Sequence, residues 1–296
     1  MKRGHNLIII GVILLLINGC KKEIESKVKA PIIPPTDSLY AKTEKIIRKE
    51  YDFRAVFTWN QYLDLLNKLK QDKFIVMPIN EMRNTFDVSK VVVGLRHDID
   101  FNPFKALEMS KIEKDNGIRS TYYILATADY YGYFNLSGVV RNRSMSRLYK
   151  ELYNNGAEIG IHNDLLTVMI SDKLDPFVFN QNELSYYDSL NIPIYGTAAH
   201  GSQIAKVSVP NYMIFSDFAK VDSVLYDGKK YLMGQHSLKE YGYEYEANFI
   251  NFNIYFSDSR GKWNDPAGFN GILTKLDSCK PGDRIQILAH PDWWGK

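Results

Sequence analysis

No apolar run in this chain reaches the roughly 18 residues that mark a bilayer-spanning helix, and the N-terminal one, Leu7 to Ile17, stops short of it. Cysteine is scarce: of 296 residues only Cys20 and Cys279 carry a thiol, too few for a disulfide framework. Nor is there an excess of one charge. The chain holds 37 Lys and Arg against 34 Asp and Glu, and residues 1–19 take away Lys2 and Arg3 and no acid, leaving 35 against 34. A surface so near neutral has no electrostatic footprint for nucleic acid or anionic lipid, and no nucleic-acid partner is expected. Internal repeats and low-complexity tracts are absent too. Aromatics are plentiful, with 20 Tyr and 15 Phe. They suit a surface that stacks on sugar rings, or plain core packing, equally well.

The N-terminus reads as a processing segment. Lys2 and Arg3 precede the apolar run, whose length suits a signal-peptide core. Ile17-Asn18-Gly19-Cys20 follows and resembles the lipobox of bacterial lipoproteins, in which the cysteine is lipidated and becomes the mature N-terminus. That resemblance implies a signal peptide over 1–19, a lipid on Cys20 and a domain held at a membrane surface without spanning it. Lys21 after Cys20 is no inner-membrane retention acid, so an extracytoplasmic, outer-membrane location is expected. With Cys20 lipidated, Cys279 has no partner and packs in or beside the last helix. Residues 20–39 then form the lipidated cysteine and a polar, proline-bearing tether, and 40–296 one large domain.

Within that domain short apolar runs alternate with helical patterns. Strands are expected over 54–57, 74–77, 91–95, 120–125, 157–161, 194–197, 212–215, 253–256 and 284–288. Helices are expected after the Thr58 cap (Tyr62, Leu63, Leu65, Leu66, Leu69) and over 103–116, 146–154, 176–190 and 267–278. Strand–helix alternation of this length predicts an α/β fold with a parallel sheet, a barrel rather than an open sheet.

Several strands end in chemistry. Val91 to Leu95 runs into His97-Asp98-Ile99-Asp100, Glu158 to Ile161 into His162, and Ile287 to Ala289 into His290, while His200 follows the strand at 194–197. The acids after a buried strand are either satisfied helix-capping groups or part of a site. On a barrel, loops after the strands converge on one face, where Asp98, Asp100, His162, His200 and His290 would meet. Carboxylate and imidazole donors suit a catalytic ion such as zinc with three protein ligands. Strand alternation turns His97 away from Asp98 and Asp100, and His236 falls outside these motifs.

Taken together the motifs are similar to those of the polysaccharide deacetylase superfamily (carbohydrate esterase family four), in its branch with a His-Asp-x-Asp first motif. Resemblance runs from about Asp52 to the C-terminus. It is carried by His97 to Asp100, Gly117 to Tyr123, Gly156 to His162, Tyr255 to Trp263 and Leu288-Ala289-His290. It implies a distorted seven-stranded (β/α) barrel and one divalent transition metal, zinc foremost. It also implies roles: Asp98 the catalytic base, Asp100 and His162 metal ligands, His290 the general acid, Asp258 and Trp263 the groups that orient or wall in that acid. Two positions depart from the pattern. Leu166 stands where the family has a second metal histidine, leaving Asp164 or His200 as third ligand. Ala198-Ala199-His200-Gly201 stands where the family has an arginine to brace the base. Trp293 and Trp294 either floor a sugar subsite with Trp263, or close the barrel bottom or pack on the N-terminal helix.

The implied activity is removal of acetyl groups from an extracytoplasmic polysaccharide or glycan. A catalytically inactive glycan-binding lipoprotein on the same barrel is the rival that the two departures suggest. The donor set alone also permits a metal hydrolase of another bond.

Overall fold

The computed structural model describes residues 34–135 and 138–296. The expected signal peptide 1–19 and the expected lipidation at Cys20 fall outside the described residues. Among the described residues no helix is long and apolar enough to cross a membrane.

Twelve strands form among the described residues: β1 (Phe74–Met77), β2 (Val91–Ile99), β3 (Thr121–Leu125), β4 (Gly132–Asn135), β5 (Gly138–Arg141), β6 (Glu158–Asn163), β7 (Ile194–Ala199), β8 (Ser223–Tyr226), β9 (Lys229–Leu232), β10 (Tyr245–Glu246), β11 (Ile254–Ser257) and β12 (Arg284–Ala289). The helices are α1 (Asp37–Tyr51), α2 (Trp59–Leu69), α3 (Ile79–Asn84), α4 (Pro103–Asp115), α5 (Arg143–Asn154), α6 (Leu165–Ile170), α7 (Pro176–Ser189), α8 (Gln203–Val207) and α9 (Gly268–Ser278). Seven strands make a parallel sheet in the order β10-β7-β6-β3-β2-β12-β11, with β1 paired to the first half of β2. Two antiparallel hairpins, β4–β5 and β8–β9, stand apart from it.

The sheet curls into a half-barrel that does not close, compatible with the expected (β/α) barrel. Its edges are β10 and β11. β10 has only two residues, and the chain runs from it into β11 through 247–253 with no helix between. That connection caps the gap through side chains: Gln286 donates to the Ala247 carbonyl and Arg96 to Asn248.

β2 is the central strand and is buried along all nine residues, as a strand covered on both faces must be. Val91, Val93, Leu95 and Ile99 face the helices, in one core with Tyr62, Leu65, Leu66 and Leu69 of α2. Val92 faces the inner side, with Met77, Ile79, Met82, Tyr123, Ala198 and Tyr245. Glycines make that inner layer possible. A Cβ at Gly160 would stand 2.4 Å from the Tyr123 ring, and one at Gly196 2.0 Å from the Tyr245 ring.

Helix ends follow local chemistry. Thr58 and Gln61 form a reciprocal capping box on α2, and Asn102 caps α4, whose first residue is Pro103. Gly117, at φ +69°, stops α4. Cys279 ends α9, where its thiol is buried.

Three expectations change. Residues 54–57 form no strand: Asp52–Arg54 is a 3₁₀ turn, and Phe57 makes only a single bridge to Trp294. Residues 212–215 likewise belong to a 3₁₀ turn, Asn211–Ile214, begun by Pro210. Residues 37–39, expected within the tether, are helical: Thr36 caps a helix from Asp37 that buries Tyr40, Ile47 and Tyr51.

Candidate metal centre

Parallel register brings the functional side chains to one end of the sheet. Asp98 lies opposite Tyr123, Leu125 opposite His162, His162 opposite Ala198, and His97 opposite Ala289. The residues just past β2, β6, β7 and β12 therefore meet at their C-terminal ends.

Asp100, His162 and His200 each offer a ligand atom there, all within 4.8 Å of one another. Asp100 Oδ1 is 3.4 Å from His162 Nε2 and 3.9 Å from His200 Nε2. That oxygen is buried and has no hydrogen-bond partner. A buried carboxylate oxygen left open between two imidazole nitrogens is a donor set that fits a divalent cation. The histidine tautomer fits as well. His162 Nδ1 lies 2.8 Å from the Ala198 carbonyl, which can only accept, so Nδ1 is the donor there and Nε2 is the nitrogen turned to the acids.

Of the two candidates for a third ligand, His200 faces the cluster and Asp164 lies behind it. Asp164 Oδ2 is 3.4 Å from His200 Nδ1, on the far side of the ring. Thr127, Thr167 and Asn211 donate to the same carboxylate at 2.8, 2.8 and 3.0 Å. Burial works against charge on His200, but the contact with Asp164 and the nearby Asp100 raise its pKa. Leu166, where the family has a histidine, is buried in the helix-side core.

Asp98 lies beside the cluster, its Oδ2 3.4 Å from His162 Nε2. Arg96 grips it from the same face of β2, Nε to Oδ1 and a terminal nitrogen to Oδ2, each 2.8 Å. Burial opposes the charge on Asp98, but Arg96 and then His162 hold its carboxyl well below the usual carboxylate range. Sequence reasoning missed Arg96. Its signal was present: a lone cation two residues before the acid, hence on the same side of the strand.

His290 completes the group. Its backbone N–H donates to Asp258, and its Nδ1 lies 2.7 Å from Asp258 Oδ1. The Trp294 indole N–H donates to the other Asp258 oxygen at 2.9 Å. Burial disfavours the imidazolium, but the Asp258 hydrogen bond and charge, with Asp100 and Asp98 beyond, push His290 up to about 10. Asp292, also unforeseen, is buried and accepts from the backbone N–H groups of Phe101 and Asn102, pinning the turn after Asp100. Burial and the Asp100 charge push its carboxyl up to about 7.

Trp294 has no exposed surface and packs on Phe57, Tyr62 and Trp263. Trp263 is buried against Phe57 and Phe269. Neither has a face for a sugar. Trp293 is half-buried, and its carbonyl accepts from Val56 and Phe57 of the N-terminal segment. His97 faces the helices as alternation requires, between the Ala289 carbonyl and Glu113, and His236 stacks on Phe177.

Beside the triad opens a cleft of about 350 Å³, lined by Asp100, Phe101, Thr127, Asp129, His200 and Ser202 among others. Fold and site together define an α/β half-barrel with a three-residue candidate metal centre at the C-terminal ends of its strands, compatible with a deacetylase-like barrel. Comparison of the chain with family models, curated proteins and solved structures finds no match in any of the three.

Proposed function

We propose that this protein is a metal-dependent hydrolase of the polysaccharide deacetylase type, removing acetyl groups from a glycan outside the cytoplasm. The observation that carries this reading is the placement of Asp98 and His290 beside the Asp100–His162–His200 cluster, each held by its own buried partner, Arg96 and Asp258. A divalent cation held by such a cluster polarises a carbonyl and acidifies water. Asp98, ionised and oriented by Arg96, takes the proton of the attacking water. His290, kept protonated and aimed by Asp258, hands a proton to the departing sugar nitrogen or oxygen. Acetate and the freed amine or hydroxyl are the products.

Both departures that favour an inactive glycan-binding relative have a substitute in this chain. His200 supplies the imidazole missing at Leu166, and Arg96 supplies the arginine missing after β7. The acetyl group itself comes from the motif resemblance, as do the lipid on Cys20 and the outer-membrane surface from the lipobox.

Acetate release from N- and O-acetylated oligosaccharides tests the reading, with zinc supplied. Release by the parent and a loss of about 10²–10⁴-fold in Asp98→Asn are expected. Phosphate release from phosphoesters without acetate release would reassign the bond. Sugar binding with neither product would make the protein a glycan binder.

A further inference from the structure

A second group of side chains lies on the same rim and has no part in the chemistry above. Arg54 is the last residue of the 3₁₀ turn after α1, and its guanidinium lies over two rings, 3.9 Å from the Phe101 centroid and 5.0 Å from that of Trp293. Phe101 lines the cleft beside the metal centre. Arg54 Nε and Trp293 Nε1 are both buried with no hydrogen-bond acceptor. The loop after β11 also packs beside Trp293, since a Cβ at Gly261 would stand 3.2 Å from Val56 and 3.5 Å from the Trp293 ring. Arg260 and Lys262 flank that glycine and are exposed, Arg260 in a left-handed conformation at φ 62°.

Among the described residues, Arg54, Arg260 and Lys262 make no ion pair and no side-chain hydrogen bond. Nearby exposed acids are engaged elsewhere: Asp129 accepts from Tyr51, and Asp52 from Asn102. Arg54 lies against Trp293, and Arg260 and Lys262 flank the glycine that packs beside the same ring. Two of the chain's buried donors have no acceptor, and stacking fixes the guanidinium plane before any ligand arrives. This is the donor chemistry of a site for carboxylate or phosphate, which a guanidinium fork meets at two points.

We propose that Arg54, Arg260 and Lys262 bind an anionic group on the substrate, so that the glycan is acidic, bearing a uronate-type carboxylate or a phosphate. The inference rests on the glycan reading above but is tested by binding and not by turnover. Titration calorimetry on the zinc-loaded protein would compare an N-acetylated oligosaccharide containing uronate, the same sugar with its carboxyls reduced to alcohols, and a phosphorylated counterpart. At least one anionic sugar is expected to bind about tenfold or more tighter than the neutral one, with a preference that shrinks as salt rises. Whichever anion is preferred identifies the group.

Arg260→Gln and Lys262→Gln lie in an exposed loop and keep the test open if Arg54→Gln unfolds. Each is expected to remove about threefold or more of the preference, with metal content unchanged. Equal affinity for charged and neutral sugars, no binding of either anionic probe at millimolar concentration, or a full preference in the Arg260→Gln, Lys262→Gln double variant would overturn the proposal. Anion preference without acetate release would leave this site standing and defeat the deacetylase reading alone.

Discussion

Arg96 and Asp98 stand two residues apart on β2, and their side chains meet in a two-point ion pair that is almost wholly shut off from water, with 2 % and 3 % of each side chain exposed. A buried pair is costly to break from one side, because the remaining charge has no counter-ion. Arg96→Met is therefore expected to lower unfolding free energy by about 3–5 kcal/mol, read from urea denaturation. Arg96→Lys keeps the charge and loses the fork, so it should fall between the two. A Met variant as stable as the parent would contradict the buried pair.

The same pair makes acid stability depend on Asp98. Its carboxyl is held below its unfolded value of about 3.9, so its contribution is complete above that pH and is lost as pH falls through the folded value. The difference in unfolding free energy between parent and Asp98→Asn should be flat above about pH 5 and shrink below about pH 4. A difference constant down to the lowest accessible pH would show that Asp98 titrates normally.

His290 carries the opposite sign. Its folded pKa is raised to about 10, so the stability it contributes is complete below the unfolded value near 6.5 and is lost as pH rises through about 10. In the metal-free protein its ring resonances should titrate far above 6.5 and fall toward that value in Asp258→Asn. A ring that titrates near 6.5 in both proteins would remove Asp258 as the cause.

Asp164 lies behind His200 and outside the Asp100–His162–His200 candidate cluster. Thr127, Thr167 and Asn211 fix its carboxylate behind the ring. Asp164→Asn should weaken zinc affinity by about 10–100-fold while the fold and stoichiometry stay intact. Loss of binding as complete as in His162→Ala would place Asp164 among the ligands instead.

Much of this arrangement was legible because strand ends announce themselves. Asp98, Asp100, His162 and His290 each follow an apolar run that could only be buried, and parallel pairing does the rest. Arg96 was not read because the strand was expected to stop at Leu95. It continues to Ile99, so the arginine is a strand residue facing Asp98. His200 and Asp164 could not be ranked, since both follow strands and both are ordinary ligands; only the direction of the His200 ring separates them. Trp293 and Trp294 were adjacent in sequence but meet different surroundings, one against Arg54 at the rim, the other beneath Asp258 in the core. The short β10 carries no pattern at all over two residues, which is why the open edge of the sheet was invisible.

The most direct test of the metal centre is the zinc content of the purified protein beside its His200→Ala variant. About one divalent ion per chain in the parent, lost in His200→Ala and kept in Asp98→Asn, is the predicted result. A parent that holds no metal after incubation with zinc, or a His200→Ala variant that holds as much as the parent, would contradict it.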